Sequence, residues 1–136
     1  MDQRIVAALI GACVGGLISL FTAKYMLKKN LRIQANDKFR SVFIDELYSL
    51  EKAREDSHKI LNGAAFEKHE RAKLEFEIFL HKQEAKGFIE AWSTYSKYVQ
   101  WFWGQEIAPG SIEVRERECN KARQHIRSVL RYTTNA

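Results

Sequence analysis

The sequence predicts an all-α chain, with one N-terminal transmembrane helix followed by a small antiparallel bundle of about four helices. Three observations predict it. The first is an uncharged apolar run at residues 5–23, close to the N-terminus. The second is a 3.6-residue period of apolar side chains through the rest of the chain, with no convincing run of alternation. The third is a scarcity of breakers: seven Gly, three of them within the first 16 residues, and a single proline, Pro109. Aromatic residues make up 12% of the chain, which argues against disorder.

The N-terminal run reads IVAALIGACVGGLISLFTA, and residues 24–27 extend it. A helix over residues 5–27 at about 1.5 Å per residue is long enough for the ~30 Å hydrocarbon core of a bilayer. Lys24 can snorkel, and Tyr25 suits the headgroup layer. Arg4 is the one basic residue before the run, whereas Lys24, Lys28, Lys29, Arg32, Lys38 and Arg40 follow it. The positive-inside rule then leaves a short extracytoplasmic tail at residues 1–4 and puts the rest in the cytoplasm. Residues 28–36 form a basic juxtamembrane segment, 37–132 a cytoplasmic helical domain, and 133–136 a fraying tail. A cleaved signal peptide is the main rival, but Phe21 is a poor fit three residues before a cut at Lys24. Ile10-Gly11-Ala12-Cys13 resembles a lipoprotein cleavage box, yet the apolar run continues past it to Phe21.

Small residues recur every fourth position within the run: Ala7, Gly11, Gly15, Ser19. This spacing holds them on one helix face, where two backbones can approach closely. A second row, Ala8, Ala12 and Gly16, lies beside it. The face predicts association of membrane helices, hence a homo-oligomer of unstated number. Small residues are also simply common in membrane helices.

Four amphipathic helices are expected beyond residue 30. The first spans 37–60, with Phe39, Val42, Phe43, Leu47 and Leu50 on one stripe, and nothing between Leu27 and Asp37 interrupts a continuous helix from the membrane segment. Asn62-Gly63 ends it. The second spans 65–81, burying Phe66, Phe76, Phe79 and Leu80. The third spans 84–102, burying Phe88, Ala91, Trp92, Tyr95 and Val99. Residues 104–110 form a loop, and Ser111 caps the fourth helix, whose core face is Cys119, Ala122, Ile126, Val129 and Leu130. Short loops imply antiparallel neighbours.

Net charge is +5, but residues 1–29 carry +3 of it. The remaining residues hold 18 Lys/Arg against 16 Asp/Glu, so overall basicity is a poor argument for nucleic-acid binding. Cys13 and Cys119 are far apart in sequence, and no disulfide is expected, as suits a cytoplasmic domain.

The stretches Phe39-Arg40-Ser41-Val42-Phe43, Lys68-His69 with Ala72, Phe76 with Phe79-Leu80, and Gly87-Phe88 with Ala91-Trp92 and Tyr95 carry a resemblance. They are similar to a family of small bacterial helical proteins with the pattern F-R-x-x-F, K-H-x-x-A, F-x-x-F-L and G-F-x-x-A-W-x-x-Y. The resemblance covers residues 39–95. It implies a bacterial source, hence the bacterial inner (cytoplasmic) membrane, and nothing about mechanism.

No catalytic, cofactor or metal motif stands out. Glu77 and His81 are four apart on an expected helix, a spacing that also suits an exposed ion pair. Arg54 to His58 and Arg117 to His125 have the wrong separations for an RNase of the HEPN type. Two surfaces remain. Arg123, Arg127 and Arg131 form a row at i, i+4 and i+8, able to hold phosphates of lipid, nucleotide or nucleic acid, or merely to pair with acidic neighbours. Trp101, Phe102 and Trp103 cannot all face one side of a helix; they either close the core or dock a partner or the membrane interface. The leading expectation is a non-enzymatic, membrane-anchored, self-associating module that presents its domain to a cytoplasmic protein partner, with no cofactor. The alternative is an oligomeric membrane effector or pore subunit, with phage defence as one setting, gated by a phosphate-bearing ligand on the arginine row.

Overall fold

The computed structural model describes residues 2–103 and 105–133, and it is all-helical: no strand occurs among the described residues. The order is α1 (Gln3–Ser41), α2 (Ile44–Lys52), α3 (Ser57–Ile60), α4 (Gly63–Glu77), α5 (Lys82–Trp101) and α6 (Ile112–Leu130), closed by a 3₁₀ turn at Arg131–Thr133. The chain forms two compact units, Met1–Gln34 and Ala35–Ala136.

The first unit is the apolar part of α1. Every described residue through Leu31 is exposed. The segment is long and apolar enough to cross a membrane, and none of its most apolar stretch is buried within the protein. That distinguishes it from the core helix of a water-soluble fold, whose apolar face would be covered.

The second unit is built on aromatic packing. Phe39 stacks on Phe76 with ring centroids 4.6 Å apart, and both meet Phe88 edge-on at 5.8 and 5.4 Å. Leu50, Leu61, Val99, Ile126 and Val129 complete a contiguous core. The expected inward stripes of α5 and α6 are buried: Phe88, Trp92, Tyr95 and Val99 on one, Cys119, Ala122, Ile126 and Val129 on the other. Gly87 has a packing reason. A Cβ there would collide with the Tyr132 hydroxyl, so the missing side chain lets Tyr132 lie on α5 beside Phe88.

Several expected boundaries move. The helix expected over 37–60 is three pieces. α1 stops at Ser41, whose hydroxyl donates to the Lys38 carbonyl at 2.7 Å, and the Phe43 amide bonds Arg40 instead of continuing the α ladder. α2 ends where Ala53 turns left-handed at φ 46 and ψ 34, its amide reaching back to Ser49 and Leu50. Asn62 opens a helix rather than closing one, because its side chain accepts from the Ala65 amide at 3.0 Å. The helix expected over 65–81 stops at Glu77, so Phe79 and Leu80 sit in the turn before α5. Ala35 and Asn36, expected in a juxtamembrane segment, belong to the packed unit, with Asn36 buried. Thr133, expected to fray, is buried and donates to the Leu130 carbonyl at 2.6 Å; residues 134–136 lie outside the described residues. The Ser111 cap holds, accepting from Val114 at 3.4 Å.

Candidate functional site

The last turns of α5, the first half of α6, the start of α3 and residues of the loop 105–110 line one depression. The result is a half-open groove of about 590 Å³. Its bed is apolar: Tyr98, Trp101, Phe102, Ile107 and Val114. The three contiguous aromatics separate by position. Phe102 turns inward at 9% exposure and meets the Tyr98 ring at 5.0 Å, whereas Trp101 and Trp103 remain 60% and 47% exposed. Trp101 lines the groove, and Trp103 packs edge-on against Phe66 at 5.3 Å.

The polar wall is held in place from several elements. Arg115 of α6 pairs with Asp56, the residue before α3, at 3.2 Å, and also reaches the Arg54 carbonyl at 3.4 Å. The Cys119 thiol lies 3.6 Å from the Glu55 carbonyl, fixing the same loop to α6. Tyr98 stacks on His125 at 4.4 Å, and its hydroxyl donates to the Glu118 carbonyl at 3.4 Å. Burial pushes the Tyr98 phenol up to about 12, with a hydrogen bond to Ser57 opposing and the Glu118 and Cys119 charges adding to the rise. Burial likewise pushes the Cys119 thiol up, with Asp56 next in effect, and it pushes His125 down, with Lys121 assisting. These groups therefore stand in their neutral forms near pH 7. A thiol held protonated is a weak nucleophile. The arrangement is suited to receiving apolar side chains beneath a charged rim.

A second constellation was not visible in the sequence. Glu46 of α2 receives Lys68 Nζ at 2.6 Å and faces the Nε2 of His69 at 3.5 Å. His69 Nδ1 lies 2.7 Å from the Tyr95 hydroxyl, and the ring stacks on Phe43 at 4.0 Å. An ionised carboxylate accepts only, so Nε2 carries a hydrogen toward Glu46, and the Tyr95 hydroxyl completes Nδ1. Burial raises the Glu46 carboxyl, but hydrogen bonds from His69 and Lys68 outweigh it and bring it down to about 2. Burial, with Glu46 nearby, holds the Tyr95 phenol far above its ordinary range. His69 and Tyr95 are fully buried, so this network ties α2, α4 and α5 together. The one sequence signal for it was Lys68-His69 beside the aromatic positions.

The other expected sites do not join the groove. Arg123 donates to Asn120 at 3.3 Å, Arg127 is exposed, and Arg131 sits beyond α6 in the 3₁₀ turn, engaged in a contact of its own. None of the three lines the groove. Glu77 ends α4 and pairs with Lys73 at 2.6 Å, while His81 precedes α5, so the two do not share a helix face. No cluster of three metal-ligating side chains occurs among the described residues. Ala7, Gly11, Gly15 and Ser19 are all exposed, and a Cβ added at Gly11 or Gly15 meets nothing within 4 Å. Compared with known proteins, the chain matches no family model, no curated protein and no solved structure.

Proposed function

We propose that this chain is a membrane-anchored helical module that self-associates through its apolar helix and presents its domain to a protein partner. One observation carries the reading: α1 exposes an uncharged, largely apolar surface from residue 5 to residue 23, with no residue of it buried. Contiguous apolar surface of this extent needs a cover of lipid or of another helix. The Ala7, Gly11, Gly15, Ser19 face is open and lets a second helix approach, while the rest of the segment meets acyl chains. The basic residues after the segment support an orientation with the N-terminus outside and the domain cytoplasmic.

The gated-effector reading is less well supported. It needs an anion held across Arg123, Arg127 and Arg131, but the first and third already have contacts within the molecule. Crosslinking of the full chain in membranes tests the main reading. Wild type yields oligomers, and the combined Gly11→Leu and Gly15→Leu variant yields mostly monomer. A wild type that stays monomeric sinks self-association. An extracted chain that is water-soluble without detergent sinks the anchor.

A further inference from the structure

We infer that residues 54–60 form a hinged strap along one wall of the aromatic groove, latched by Arg115 and opening as a unit while the rest of the domain stays folded. The strap follows α2 and contains α3. Its residues Asp56, Ser57 and His58 line the groove. Little apolar surface holds it down. None of its seven residues is a buried apolar one, and Ile60 alone among them packs, partly buried, against the core. Leu61, just beyond, is 1% exposed and serves as the pivot. The backbone bonds of the strap are internal: the Lys59 and Ile60 amides reach the Asp56 carbonyl at 2.9 and 3.3 Å, and the Leu61 amide reaches the Ser57 carbonyl at 2.8 Å. Opening leaves them intact.

Side chains of α5 and α6 tie the strap in place. Arg115 holds the Asp56 carboxylate and the Arg54 carbonyl, the Cys119 thiol meets the Glu55 carbonyl, and the Tyr98 hydroxyl meets Ser57. The hinge at the α2 end is strained. Ala53 is the one non-glycine residue with positive φ among the described residues. Such a conformation persists only while its surroundings impose it, so release of the strap relieves Ala53. A segment with little buried apolar area, self-contained backbone bonds and a strained end opens well below the free energy of global unfolding. Two changes follow from opening. Arg115 loses both partners and becomes an unpaired cation lining a wider groove. Cys119, 1% exposed in the closed form, loses the cover of the Glu55 carbonyl.

The buried thiol reports the motion. The test uses the full chain in detergent with Cys13→Ser, which leaves Cys119 as the one cysteine. An aromatic disulfide reagent forms a mixed disulfide with it and releases an aryl thiolate read by absorbance. Labelling is followed from zero to mild urea, and intrinsic emission gives global unfolding over the same range. Local opening gives a rate nearly independent of mild urea and faster than global unfolding allows. Arg115→Lys, which loses the planar fork, and Asp56→Asn each raise that rate about tenfold. Ala53→Gly lowers it about threefold, because the closed hinge is no longer strained. Phe88→Leu, in the aromatic core with Phe39 and Phe76, lowers the global midpoint and leaves the rate without urea unchanged. A labelling rate that climbs with urea as steeply as global unfolding overturns the inference. So does a rate that both latch variants leave at the wild-type value, or one that Phe88→Leu raises as much as they do.

Discussion

Glu46 is the residue whose chemistry the fold alters most usefully. It sits almost wholly inside the domain, yet it is held ionised because Lys68 and His69 point at its two oxygens. A buried carboxylate left without those partners would be strongly destabilising. Its folded value of about 2 lies below the ordinary 4.5. A depressed carboxyl contributes stability that is fully present above the unfolded value and disappears as pH falls through the folded one. The contribution of Glu46 is therefore complete above about pH 4.5 and is lost progressively toward about pH 2. It amounts to about 3 kcal/mol. Urea unfolding of Glu46→Gln should show lower stability at pH 7 by roughly that amount and a flatter profile across the acid window. A variant with the wild-type slope would mean that other carboxylates govern acid unfolding. No periodicity could reveal this group. An acidic residue beside an apolar stripe reads as solvated, and its partners lie 22 and 23 positions away on another helix.

At the scale of elements, the apolar period located nearly every inward side chain but not every helix end. Phe39, Phe43 and Leu50 were legible as one stripe, and all three are buried. What the stripe hid was that the end of the 39-residue α1, the turn at Phe43 and a separate α2, not one continuous helix, bring those residues to the same core. The breaks fall where no Gly or Pro marks them. The first follows from Ser41 bonding locally, and the second from Ala53 accepting a left-handed conformation imposed by the turn into Asp56, which Arg115 holds from α6. Left-handed backbone is unfavourable for a residue with a Cβ by roughly 1–2 kcal/mol. Ala53→Gly should therefore raise stability by about 0.5–1 kcal/mol despite the greater freedom of glycine in the unfolded chain. Chemical denaturation at neutral pH measures it, and a destabilised Ala53→Gly would show that the turn tolerates alanine without strain. The groove was half legible for the same reason. Three adjacent aromatics announced that some must stay exposed, but the α3 and α6 walls come from residues 40 or more positions from one another.

At the scale of the whole molecule, the small-residue face of α1 and the aromatic groove are among the surfaces left open on the described residues. The first was readable from spacing alone because membrane helices advertise close approach with small residues. The second required the tertiary structure. The placement of tryptophan makes the groove optically addressable. Trp92 is buried in the core, while Trp101 and Trp103 face outward, so iodide should quench most but not all of the intrinsic emission of a monomeric variant such as Gly11→Leu with Gly15→Leu. If assembly covers the groove, the share assigned to Trp101 is protected in the wild type, and Trp101→Phe removes the difference between the two states. Equal quenching before and after assembly would mean that the indole at position 101 never leaves water. The chain thus carries, without any added label, a reporter that distinguishes an open groove from a covered one.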